Sequence, residues 1–257
     1  IAKSAIVLLA LLALAIGEVT RRRGYGIVAK GVTALGFAIL YTTVFAAHRW
    51  YALIDSVPAF ALAIGVTIGA MLYAVALDEV VAALLALIGG YITPIVVSTG
   101  QNLPTPLFSY VLILSAGAMV CAYWRKWPAV NVLAFVGTFV LYMGWFEKFY
   151  RPAMQAAGSP DQLGVALFWV VVFFLAYLIL PILHGLIRRV MSHIADVVLL
   201  LANATIVFYT LWTLLGDAYR PWLALCSLGL GVAHLLVMVC VVMRCKADVN
   251  LRQTLLA

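Results

Sequence analysis

"QLGVALFWVVVFFLAYLILPILHGL", residues 162–186, contains no Asp, Glu, Lys or Arg. A helix crosses the hydrocarbon core of a bilayer with about 20 apolar residues, so this stretch reads as a transmembrane helix. Working outward from it, the chain divides into nine such runs: 1–17, 28–47, 57–77, 79–97, 106–123, 128–146, 162–186, 196–215 and 220–243. Short strips between the runs hold nearly all the charge. Composition agrees: 67% of the 257 residues are hydrophobic and 10% charged, with a mean hydropathy of +1.15. A soluble domain of this length needs far more polar surface. Period-two alternation over ten-residue blocks, the mark of a transmembrane barrel, is absent. The expected fold class is therefore all-α, a polytopic integral membrane helical bundle of about nine transmembrane helices.

Ile1 already lies in an apolar run, and "VNLRQTLLA" at 249–257 has the character of an approach to a further helix. Residues 1–257 are thus read as a single transmembrane bundle that is part of a longer polytopic chain. Orientation follows from the basic residues, which accumulate on the cytoplasmic side. Taking alternate loops, one side holds Arg21, Arg22, Arg23, Lys30, Arg125, Lys126, Arg188, Arg189, Arg244, Lys246 and Arg252. The other holds Arg49, Lys148, Arg151 and Arg220. The expectation is an N-terminus outside and a C-terminus in the cytoplasm. Trp50, Tyr51, Tyr142, Trp145, Tyr150, Trp212, Tyr219 and Trp222 gather at the outer ends, where rings with a polar edge favour the head-group layer. The net charge of +7 follows from the loop bias and gives no reason to expect nucleic acid. The partners expected are membrane lipids and other membrane subunits.

Most prolines fall where a helix tolerates them. Pro58, Pro106, Pro128 and Pro221 stand at the starts of runs, where the missing N–H would have had no helical partner anyway. Pro94 and Pro181 lie inside apolar spans. Pro94 belongs to "LLALIGGYITPIVVSTGQNLP", residues 84–104. There it removes the donor for the Gly90 carbonyl, beside two glycines that take away side-chain bulk. Thr93, preceding a proline, is biased away from helical dihedrals. The expectation is an interrupted helix, sheltered from lipid because open backbone costs several kcal/mol in hydrocarbon. Gly89, Gly90, Thr93, Pro94, Ser98 and Thr99 would then line a substrate passage. Pro181 would kink the seventh span. Paired interruptions in oppositely running helices suggest transporter repeats, but the sequence shows no internal similarity to support them.

Polar residues inside the spans are few. The acidic residues sit at helix ends or in the last cytoplasmic strip, so no mid-depth carboxylate is present to hold a coupling ion. His234 lies roughly 13 Å, and Asn203 about 11 Å, from the inner ends of adjacent antiparallel runs, counting about 1.5 Å per residue. They are the candidates for an interhelical hydrogen-bonded pair. Gly65 and Gly69 form a G-x-x-x-G pair suited to close helix approach. Cys121, Cys226, Cys240 and Cys245 have no C-x-x-C spacing and read as small apolar packing residues. No H-E-x-x-H, G-x-S-x-G or phosphate-binding glycine loop is present, so no catalytic residue, metal or cofactor is assigned.

Four stretches carry a family resemblance: "GEVTRRRGY" at 17–25, "ALGFAILYTTVFAA" at 34–47, "LALIGGYITPIVVSTG" at 85–100 and "WRKWPAVNVLAFVGTFVLYMGW" at 124–145. Together they resemble a bacterial family of multi-pass predicted membrane proteins, a domain of unknown function (2339). The resemblance implies the bacterial inner (cytoplasmic) membrane, more spans than nine in full-length members, and no known activity. The functional expectation is a conduit or carrier for a small neutral or lipid-like molecule beside Gly90. The alternative is a non-catalytic membrane scaffold or accessory subunit. A carrier should show space beside the interruption; a scaffold should fill Gly89 to Pro94 with tight contacts.

Overall fold

The computed structural model describes residues 2–97, 100–125, 127–157, 162–188, 194–215 and 219–244. Every regular element among them is helical: α1 Ala2–Arg22, α2 Gly26–Phe45, α3 Ser56–Leu77, α4 Val80–Val97, α5 Pro104–Trp124, α6 Pro128–Trp145, α7 Arg151–Ala157, α8 Leu163–Arg188, α9 Ile194–Leu215 and α10 Arg220–Arg244. Five-residue π-helical turns extend α2 over Ala46–Trp50 and join α6 to α7 over Phe146–Tyr150. Among the described residues, seven helices are long and apolar enough to cross a membrane, those of α2 to α6, α8 and α9. Pro221–Val237 in α10 is a shorter apolar helix. The short α7 falls where the sequence reading places a loop.

Chain contacts divide the protein into two compact units, residues 1–103 and 104–257. In the first, α2 is the hub and packs on α1, α3 and α4. Lipid tails are as apolar as leucine, so close packing rather than water exclusion must hold helices together here. The close approaches are made by glycines. A Cβ added at Gly36 would lie 2.7 Å from the Leu14 side chain, and one at Gly17 would collide with the Thr33 hydroxyl. The expected Gly65 and Gly69 contacts do not form, because neither position has a described neighbour within 4 Å. A G-x-x-x-G spacing marks a smooth helix face; whether another helix lies on it is decided elsewhere in the chain.

In the second unit, α8 packs on α5, α6, α9 and α10. One end of this unit is an aromatic nest centred on Phe108. Its ring stacks on Tyr142 at 5.1 Å, meets Trp145 edge-on at 5.2 Å and lies 5.7 and 5.9 Å from Trp169 and Phe173. Deeper in, the Tyr177 hydroxyl donates to the Ala134 carbonyl at 2.7 Å and meets the hydroxyls of Thr138 at 2.7 Å and Ser115 at 3.0 Å. These hydroxyls join α5, α6 and α8.

The two units share a local design. Gly36, Leu40, Tyr41 and Phe45 on α2 match Gly137, Leu141, Tyr142 and Phe146 on α6 in spacing, and a π-helical turn follows or begins at the phenylalanine in each case. Both tyrosines are buried, and each donates its hydroxyl to an alanine carbonyl of a later helix: Tyr41 to Ala86 at 3.0 Å and Tyr142 to Ala166 at 3.1 Å. This G-x-x-x-L-Y-x-x-x-F pair was visible in the sequence as an internal similarity, and the sequence reading missed it.

Candidate functional site

The stretch expected to break does not. Helix α4 runs unbroken from Val80 to Val97 with Pro94 inside it. One missing N–H affects one rung, at the Gly90 carbonyl, and the Thr93 hydroxyl adds a bond next to it by donating to the Gly89 carbonyl at 2.7 Å. Helices in membranes accommodate proline in this way, with hydroxyls and neighbouring helices serving the affected backbone. Helix α8 likewise continues through Pro181.

The orientation of α4 matches the sheltering argument, however. Gly89, Gly90 and Thr93 are buried against the rest of the first unit, while Ile92 and Ile95 face outward. Gly89 has a particular reason to be glycine: a Cβ there would collide with the Tyr41 ring. That ring is held at its tip. Its hydroxyl meets the Thr67 hydroxyl on α3 at 2.7 Å and donates to the Ala86 carbonyl on α4, while Thr67 donates to the Ala63 carbonyl at 2.8 Å. Two hydroxyl hydrogens thus serve three oxygen contacts. The space beside Gly89 is occupied by an immobilised side chain. Ser98 and Thr99 lie outside the described residues.

Asn203 and His234 are not hydrogen-bonded to each other. Asn203, fully buried on α9, donates its amide to the Phe174 carbonyl on α8 at 3.1 Å. His234 on α10 places Nδ1 2.8 Å from the Leu230 carbonyl of its own helix, and its ring lies 5.7 Å from the Phe174 ring. Both side chains converge on Phe174, a partner that spacing alone gives no way to identify.

Charge collects at one end of the first unit. Arg21, Lys30, Thr33, Tyr73 and Glu79 surround a cavity of about 10 Å³, roughly the room of one water. The end of α1, the start of α2, the end of α3 and the start of α4 therefore lie together, as antiparallel neighbours must. Lys30 Nζ is 3.3 Å from Glu79 Oε2. Glu18 accepts hydrogen bonds from Arg21 at 2.7 and 2.8 Å and from Arg22 at 2.7 Å. These two guanidiniums, Arg21 foremost, hold its carboxyl down at about 2. A depressed carboxylate contributes its stabilisation above its ordinary range and loses it as pH falls through about 2. The cluster is part-exposed and screened by solvent, so it contributes little to holding the fold.

Comparison with known proteins gives one result. Residues 3–257 match the family described as predicted membrane protein (DUF2339). No curated protein matches the chain, and no solved structure does. The match covers both units, from the close α1–α2 pair to the end of α10 and beyond, and the chain belongs to the DUF2339 family of predicted membrane proteins.

Proposed function

We propose that this chain is a non-catalytic scaffold or accessory subunit in a membrane assembly, with no passage beside Gly90. The observation that carries the reading is the filled seat at Gly89, where the Tyr41 ring occupies the space a substrate would need. Of the side chains expected to contact a substrate, the Thr93 hydroxyl bonds its own helix, and the Tyr41 ring at Gly89 is held by a hydroxyl that bridges α3 and α4. The carrier reading is tested in vesicles. Osmotic swelling in glycerol or urea, and scrambling of a fluorescent phospholipid, are expected to stay at the protein-free rate for the wild type and for Pro94→Ala. The same substitution is expected to move the unfolding midpoint. Solute or lipid flux that rises with the wild-type protein and disappears in Gly89→Leu would restore the conduit.

The topology proposed with this reading has nine crossings, with α1 and α10 joining the seven apolar helices. The N-terminus is outside and residue 257 in the cytoplasm of a bacterial inner membrane. It is supported by the distribution of basic residues and by the gathering of Arg21, Lys30 and Glu79 at one end of the first unit. In a cysteine-free background, Lys148→Cys is expected to react with a membrane-impermeant maleimide on spheroplasts. Arg23→Cys should react only after permeabilisation. Labelling of both from the same side would refute the alternation, and a reversed pattern would invert the orientation.

A further inference from the structure

Among the described residues, two of the buried side-chain acceptors without a hydrogen-bond partner in the second unit lie on the neighbouring helices α9 and α10. The Asn203 amide is oriented by the Phe174 carbonyl: only the NH2 group can face an acceptor, so Oδ1 points away from it. Asn203 Oδ1 then has no hydrogen-bond partner among the described residues. His234 is constrained in the same way. The Leu230 carbonyl can only accept, so Nδ1 carries the proton. A neutral imidazole with its proton on Nδ1 presents a lone pair at Nε2, and this atom too is buried without a partner. Leaving a buried acceptor unmet costs roughly 1–3 kcal/mol, and the hydrocarbon core supplies no bulk water to relieve it. The two groups cannot satisfy each other through these atoms, since both accept. Both flank Phe174, one at its backbone and one at its ring.

We propose that a water molecule is bound between α8, α9 and α10 beside Phe174, donating one O–H to Asn203 Oδ1 and the other to His234 Nε2. Water is the smallest species with two donor hydrogens, and buried waters characteristically serve polar groups that the chain leaves unpaired. The site explains how an asparagine and a histidine share a membrane interior without bonding directly. It is independent of the scaffold reading, since it lies in the other unit and concerns α8 to α10.

The full chain in lipid nanodiscs tests it by infrared spectroscopy in D2O and in D2¹⁸O. The wild type is expected to show an O–D stretching band of an ordered water, shifted by ¹⁸O, that is lost in both Asn203→Leu and His234→Phe. Unfolding of the two single variants and the double variant should show a less than additive loss. Absence of an ¹⁸O-sensitive band, or its loss in only one variant, overturns the proposal. Should either variant fail to fold, the wild type alone decides: the ¹⁵N resonance of His234 Nε2 should sit at the position of a hydrogen-bonded nitrogen. A resonance at the position of a bare lone pair refutes the site.

Discussion

Phe108→Ala is expected to destabilise the second unit by about 3–5 kcal/mol, the cost of truncating a fully buried aromatic side chain. Phe108 is 0% exposed and touches four aromatic rings on α6 and α8. In a membrane the lost term is contact, since the ring gains little by leaving lipid for protein. Edge-on and stacked aromatic pairs add roughly 0.5–1.5 kcal/mol each beyond area, so the effect belongs at the upper end of that range. Reversible unfolding in mixed micelles, followed by tryptophan fluorescence, measures it directly because Trp145 and Trp169 report on the same nest. Phe108→Leu should recover part of the loss. An alanine variant within about 1 kcal/mol of wild type, well below the usual truncation cost, would show that the nest is not a core.

Gly89→Ala should be nearly as damaging, although it adds one methyl group. Overpacking a core costs about 1–3 kcal/mol. Here the displaced atoms are the Tyr41 ring, which cannot yield without losing its bonds to Thr67 and Ala86. Each such bond contributes roughly 0.5–1.5 kcal/mol. The discriminating measurement is a double-mutant cycle with Tyr41→Ala, in which the loss from Gly89→Ala should shrink because the ring is gone. Additive losses would mean that Gly89 is glycine for another reason.

These two sites show what could be read from residue order alone. Fold class followed from the apolar runs, and helix starts from proline: the run expected at 128–146 begins with Pro128 as the first residue of α6, and that expected at 57–77 became Ser56–Leu77. Such features are local, set by missing donors and by hydrocarbon thickness. The reading of Pro94 failed because a proline's effect depends on which groups take over at the affected rung. Here α4 stays whole, and the Thr93 hydroxyl adds a bond to the neighbouring Gly89 carbonyl. Gly89 was singled out correctly as sheltered, but its partner Tyr41 lies far back on α2, and no periodicity links the two. Asn203 was matched to the nearest polar side chain on the adjacent run, whereas the structure gives it a backbone carbonyl on α8. Contacts to main-chain groups leave no mark in residue type. The G-x-x-x-L-Y-x-x-x-F repeat was the one long-range signal available, since it marks in both units a tyrosine that reaches another helix.

The π-helical turn at Phe146–Tyr150 has a consequence for length changes. Five residues of ordinary α-helix sweep about 500°, leaving the fifth roughly 140° from the starting face. Yet Trp145, Phe146 and Tyr150 are all buried, with Tyr150 against both other rings at 5.9 and 5.2 Å. The wider turn acts as a phase shifter that brings Tyr150 back to the azimuth of Trp145. Deleting one residue there would leave Trp145 and Tyr150 four residues apart, about 400° of ordinary helix and so nearly on one face. The wide turn would then close to an ordinary one, with Tyr150 kept beside Trp145 and the helix as far as Tyr142 unchanged.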